Sequence, residues 1–286
     1  MINRIKSRLL GWKSKNLSLG GRLVLLKSVL SSLPFYFISF FKAPAGIISS
    51  IESIFNCFFW GGCEEFRKIS WINWDTICSK KENGGLGVLR IQEFNLALLG
   101  KWCWQMRVEN KSLWYRVLAA RYREVGGKIA EEGQFNSIWW NNLININNGV
   151  GVGGGWWFDD NVGRKVGDGA HTLFWWDPWI DELVLKNSFG RLFDLANNKM
   201  TMVAEIYSLG WWEEGEAWKW RRRLFTWEEK VRGCCDILTN IVLQPNHSDR
   251  WIWHLHASSN YNVTSAYNHL LTPPNNNLSA THTSEI

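Results

Sequence analysis

The sequence predicts an α+β protein: an all-helical N-terminal domain followed by a tryptophan-rich mixed domain with β-hairpins. Three observations predict it. The first third carries apolar residues at helical spacing, as in "LSLGGRLVLLKSVLSSL", where Leu19, Leu23, Leu26, Leu30 and Leu33 fall on one stripe. Beyond residue 155 the pattern shortens to alternating aromatic runs around Asp168-Gly169. Between the two, "REVGGKIAEEGQ" is polar and glycine-bearing, which marks a boundary near residue 125. The predicted domains are therefore 1–124 and 125–271, with a disordered tail over 272–286.

In chain order, the first helix sets Ile2, Ile5 and Leu9 on an apolar side and Arg4 and Arg8 on a basic one. Ser18 is the expected N-cap of the second. Pro34 opens a further segment, "PFYFISFFKA". Pro44 opens a helix as its first residue, closed by Gly61-Gly62. "ENGGLGV", Glu82–Val88, is a turn. An amphipathic helix follows, with Phe94, Leu98 and Trp102 on one face, and then a helix capped by Ser112.

In the second domain "SIWWNNLINI" is a short helix and "NNGVGVGGG" a flexible loop. Asp168-Gly169 lies between aromatic runs and predicts a tight hairpin, because both turn positions favour positive φ. Thr226 and Glu229 form a capping box for a helix through Cys234-Cys235. "DRWIWHLHASSNYNV" is expected as a second hairpin and "TSAYNHLL" as the last helix.

Twenty-one tryptophans, many in pairs, point first to aromatic cores; a base-stacking platform is the functional alternative. The net charge of +6 conceals an asymmetry. Residues 1–130 carry 20 Lys/Arg against 8 Asp/Glu, and residues 131–286 carry 12 against 18. No acidic residue precedes Glu52, whereas eight basic ones do: Arg4, Lys6, Arg8, Lys13, Lys15, Arg22, Lys27 and Lys42. Such a one-sided field implies a polyanionic partner.

Other chemistries find less support. The six cysteines form no Cys-x-x-Cys pair and read as reduced and mostly buried. The N-terminus lacks the apolar stretch of a secretory signal, and the longest charge-free apolar run, between Lys27 and Lys42, is broken by Pro34 and too short to span a membrane. Gly163, Gly167 and Gly169 have the wrong spacing for a phosphate loop. Asp159, Asp160, Asp168, Asp177 and Asp181 read as turn and strand-end residues, not magnesium ligands. His254 and His256 share a predicted strand face without further ligands at zinc spacing. Arg221–Arg223 lie among glutamates as a partly paired patch. No metal and no cofactor is expected.

Several strings in fixed order carry a resemblance: "RIKSRLLGWKSKNLSLGGRLVLLKSVLSSLPFYFISFFKAP", "FFWGG", "KISWINWDTICSKKENGGLGV", "FNLALLGKWCW", "KVGDGAHTLFWWDPWI", "RLFDLANNK", "WKWRRRLFTWEE" and "DRWIWHLHASSNYNVTSAYNHLL". Over roughly residues 2–271 the chain resembles plant LINE-type (non-LTR) retrotransposon reverse transcriptases. The similar segment is the one after the polymerase core, up to the entrance of the zinc-binding domain. The resemblance implies a thumb-like helical domain, then a connection domain, within an RNA-directed DNA polymerase polyprotein. The family's palm carries an aromatic-x-Asp-Asp motif; the nearest string here, "WFDD" at Trp157–Asp160, falls in the connection. The ribonuclease H acids have no counterpart, and the zinc ligands that should follow the last helix give way to "PPNNN". Asn262 stands where serine is usual.

The chain is accordingly expected to be a slice of the polyprotein and not an enzyme. It would grip an RNA/DNA duplex without reading sequence, through Arg4, Lys6, Arg8, Lys13, Lys15, Arg22 and Lys27. The alternatives are a scaffold that docks other domains of the polyprotein and a non-functional gene product.

Overall fold

The coordinates are a computed structural model and describe residues 2–11, 17–62, 68–122, 124–125, 128–129, 137–149, 155–211, 217–218, 220–221, 231–238 and 241–272. The elements run α1 (Ile2–Gly11), α2 (Leu19–Ser28), α3 (Phe35–Ile38), α4 (Ala45–Phe59), α5 (Trp74–Cys78), α6 (Ile91–Val108), α7 (Leu113–Tyr122), β1 (Glu124–Val125), β2 (Lys128–Ile129) and α8 (Ile138–Asn147). They continue with β3 (Val162–Lys165), β4 (Pro178–Ile180), β5 (Leu183–Val184), α9 (Leu185–Ser188), α10 (Gly190–Leu195), α11 (Val203–Leu209), α12 (Val231–Leu238), β6 (Arg250–Trp253) and α13 (Val263–Leu270). The fold is α+β. It divides into two units: residues 1–103, 137–146 and 263 onward make the first, and 104–136 with 147–262 the second.

Among its described residues the first unit holds helices and their connections, and no strand. Its core forms around α4, where Ile48, Ile51, Phe55, Phe58 and Phe59 recur at three- and four-residue spacing and are buried. Ile5 of α1 and Leu26 and Leu30 around the end of α2 pack into the same cluster. Each such side chain contributes roughly 1.5–3 kcal/mol by leaving water. Ser18 caps α2 as expected, its Oγ accepting the Gly21 amide at 3.1 Å. Pro44 stands one position outside α4, where its carbonyl accepts the amides of Ile47 and Ile48 and its missing N–H costs nothing. Gly61 ends the helix with φ +74°, and a Cβ there would collide with the Arg22 guanidinium.

The expected amphipathic helix is α6, with one difference. Residues 95–100 are buried on every side, not along one stripe. The small Ala97 and Gly100 admit neighbours around the helix, and the buried Asn95 is fully employed. Its side chain accepts the Ala43 amide at 2.8 Å and donates to the carbonyls of Ile38 (2.6 Å) and Phe41 (2.9 Å). With Trp102 donating to the Ser39 carbonyl at 2.8 Å, this fixes the strap between α3 and α4. The C-terminal α13 joins the same unit through Tyr267, whose hydroxyl accepts the Arg90 amide at 3.0 Å.

The second unit has an aromatic core: Phe174, Trp175, Trp179, Phe193 and Trp211 cluster with Leu185, Leu192, Val203, Ile206 and Leu238. Its strands depart from the expected hairpins. β3 pairs antiparallel with the distant β6, Val162 opposite Trp253 and Lys165 opposite Arg250. Neither Asp168-Gly169 nor residues 249–263 is a hairpin. Gly169 does have positive φ, +74°, but the run after it is turn, with the Phe174 amide donating to the Thr201 carbonyl at 3.0 Å. The two-residue hairpin turn sits at Asp181-Glu182, between β4 and β5, where φ is +44° and +67°. Of the helix expected at residues 226–243, α12 forms 231–238, and residues 241–243 are not helical; its proposed cap, Thr226 with Glu229, lies outside the described residues, as does the tail from 273.

Candidate nucleic-acid interface

The basic residues of the N-terminus have different surroundings. On α1, Arg4 and Arg8 are exposed, Lys6 is half-buried, and Ile5 on the other side is 1% exposed. Lys13 and Lys15 lie outside the described residues. Arg22 is built into the fold: its Nη1 donates to the Phe59 carbonyl at 2.9 Å, satisfying an open acceptor at the end of α4.

Lys27 faces a cleft of about 570 Å³ whose wall also includes Lys80, Lys81, Glu82, Tyr267 and Asn268. The loop carrying Lys80 and Lys81 is laced to the end of α5. The amides of Leu86 and Gly87 donate to the carbonyls of Ile77 (3.0 Å) and Ser79 (2.9 Å). Gly85 packs so closely on the Ser79 carbonyl that any side chain would collide with it, and Gly87 turns at φ +63°. The "ENGGLGV" turn read from the sequence is thus the device that presents two lysines opposite Lys27. Burial, with the neighbouring charge of Lys81, holds the Lys27 ammonium below the ordinary lysine pKa. Sequence reasoning did not single out Lys80 and Lys81; a lysine pair directly before a three-glycine turn was the available signal.

Behind this wall lies a titratable group. Burial raises the Glu52 carboxyl, against the Ile91 amide that donates to it. The Cys78 thiol and the Tyr267 phenol are each pushed up to about 12, chiefly by burial, so neither ionises near neutrality. Cys57, Cys78 and Cys103 are thiols, not joined in disulfides.

Polar side chains in the second unit tie its loops together. Asp249, just before β6, gathers the Gly167–Thr172 loop. Its Oδ1 accepts the amides of Gly167 (2.7 Å) and Gly169 (3.0 Å), and its Oδ2 accepts the His171 amide (2.9 Å) and the Thr172 hydroxyl (2.8 Å). Arg164 completes the knot by donating to Thr172 and the His171 carbonyl while lying 4.6 Å from the Trp251 ring centre. Nothing in the sequence linked Asp249 to this loop. His254 and His256 do not share a strand face, because β6 ends at Trp253; His254 lies 3.4 Å from Glu182, and His256 meets Ser258 at 2.7 Å. The side chains of Cys234 and Cys235 are outside the described residues. Among the described residues no three His, Cys, Asp or Glu side chains gather as a metal site requires, and no helix is long and apolar enough to cross a membrane. Most described tryptophans are core or half-buried; Trp71 and Trp156 are exposed.

No family model matches the chain. A protein of Arabidopsis thaliana with the provisional name ribonuclease H protein is 30% identical over 275 residues, 93% of this chain. The chain spans 41% of the length of that relative. An uncharacterized mitochondrial protein of the same plant is 32% identical over 151 residues, which are 52% of this chain and 93% of the relative. The first relative corrects the expectation that the chain is not an enzyme. A protein named for a nuclease matches nearly its whole length, so missing polymerase and ribonuclease H motifs do not separate it from enzymes.

Proposed function

The chain belongs to the same family as the uncharacterized mitochondrial protein of Arabidopsis thaliana, and from that premise we propose that it is a segment of a plant retroelement polyprotein whose basic helical unit holds a nucleic-acid duplex without reading its sequence. The finer placement, a thumb-like and connection region of a LINE-type reverse transcriptase, rests on the ordered motifs of the sequence. The ribonuclease H name of the longer relative adds a nuclease activity of the whole protein to the proposal.

The observation that carries the reading is the distribution of charge in the first unit. Before Glu52 there are eight basic residues and no acidic one, and Arg4 and Arg8 stand exposed on α1 while Ile5 anchors its other side. Ammonium and guanidinium groups held on docked helices neutralise phosphates with little loss of conformational freedom beyond that of their own side chains. The test is fluorescence anisotropy of the full chain with RNA–DNA duplexes of three unrelated sequences. The reading expects dissociation constants within about threefold of one another, since phosphate contacts carry no base information. No binding at low salt, or binding to one sequence alone, overturns it.

A second reading, a scaffold that docks other domains of the polyprotein, is favoured by the exposed Tyr36 (82%) and Trp71 (81%) of the same unit. Loss of partner-domain binding on Tyr36→Ser with duplex binding intact would favour it.

A further inference from the structure

We propose that the cleft between Lys27, Lys80 and Lys81 is a phosphate-binding site, an inference that rests on the nucleic-acid reading and gives it an anchor point. Three ammonium groups from two separate stretches of chain line one concavity, and Glu82 is the only carboxylate among its lining residues. Among the described residues, none of the three lysines pairs with a carboxylate. Three positive charges beside a single carboxylate repel one another, and an anion between them removes that repulsion.

The cleft is also shaped for an anion to enter. Gly87 exposes bare backbone at its edge: a Cβ there would touch both lysines, 3.6 Å from Lys27 Nζ and 3.9 Å from Lys81 Cγ. The loop bearing Lys80 and Lys81 is held by backbone hydrogen bonds to Ile77 and Ser79, so the charges are arranged before a ligand arrives. The lowered affinity of Lys27 for its proton agrees with this: a bound phosphate would restore it. A volume of about 570 Å³ accepts one phosphate with the sugar attached to it. The phosphate can come from a polynucleotide backbone or from a free nucleotide.

The experiment compares the full chain with Lys27→Gln/Lys80→Gln/Lys81→Gln and with Arg4→Gln/Arg8→Gln, using a labelled 20-base-pair RNA–DNA duplex in one arm and adenosine monophosphate in the other. Folding is checked by thermal melting. The proposal expects the triple variant to lose about tenfold or more in duplex affinity at low salt, with the log–log salt slope flattened by about 2–3. Adenosine monophosphate should compete only at millimolar levels if the backbone is the source. Micromolar nucleotide binding that the triple variant abolishes, without duplex binding, would keep the phosphate site but assign it to free nucleotides, and would overturn the nucleic-acid reading. A folded triple variant with unchanged duplex affinity and nucleotide binding overturns the site; the broader reading then stands or falls on the Arg4/Arg8 variant. Should the triple variant not fold, the exposed Lys81→Gln alone is expected to flatten the slope by about 0.7–0.9, and an unchanged slope overturns the site.

Discussion

The carboxylate of Asp249 accepts the amide of Gly169 at 3.0 Å, joining residues 80 apart in sequence. Three further donors from the same short loop converge on that carboxylate, and they hold the loop against the start of β6. Asp249→Ala leaves those donors without their acceptor. It should destabilise the second unit by about 2–4 kcal/mol, given about 1–3 kcal/mol for each buried group left unsatisfied and partial rescue by water. Denaturant unfolding followed by tryptophan fluorescence measures it; a change below about 0.5 kcal/mol would show that the knot is incidental.

The same carboxylate makes stability depend on pH. Burial pushes Asp249 upward, but the Gly167 amide, the Thr172 hydroxyl and the His171 and Gly169 amides outweigh it and hold the group below the ordinary aspartate value. A depressed folded pKa contributes stability that is present above the unfolded value, about 3.9, and is lost as pH falls through the folded one. The stability gap between wild type and Asp249→Asn should therefore be flat near neutrality and shrink below about pH 4. A gap that grows on acidification would contradict the assignment.

Gly169 itself tolerates no side chain. Its φ is +74°, and a Cβ would lie 2.8 Å from the Ala204 amide nitrogen and 3.2 Å from both Leu243 Cδ1 and Val203 Cβ. Gly169→Val should cost about 1–3 kcal/mol. An unmoved melting curve would sink this expectation.

At the true hairpin turn the opposite substitution should help. Asp181 and Glu182 both occupy positive φ, which favours asparagine and glycine. Asp181→Asn/Glu182→Gly should raise stability by about 0.5–1 kcal/mol, less whatever the Glu182–His254 contact provides. A lower melting temperature would mean that this contact outweighs the backbone strain.

These cases mark what the sequence made legible. Ser18 capping α2, the limits of α4 between Pro44 and Gly61, and the helices α6, α7, α8 and α13 were readable because caps and periodicity act over a few residues. The β3–β6 pairing was not, since nothing local to Val162 or Trp253 names the other. Asp168-Gly169 carried a strong turn signal and does turn, but the four bonds to Asp249 divert the chain after it. The turn at Asp181-Glu182 was silent because Asp181 is followed by glutamate, not by the glycine that usually marks positive φ at the second turn position. At the candidate interface, the exposed position of Arg4 and Arg8 on α1 was legible from charge and helical spacing. The commitment of Arg22 to Phe59, and the assembly of Lys27 with Lys80 and Lys81, depend on tertiary packing.

The measurement that tests the central claim most directly is the salt dependence of duplex binding by the full chain. If Arg4, Arg8, Lys27, Lys80 and Lys81 each meet a phosphate, log K should fall linearly with log salt concentration, with a slope of about −4, alike for unrelated sequences. A slope near zero, or no measurable binding at 50 mM salt, about the low end of the usual range, would contradict it.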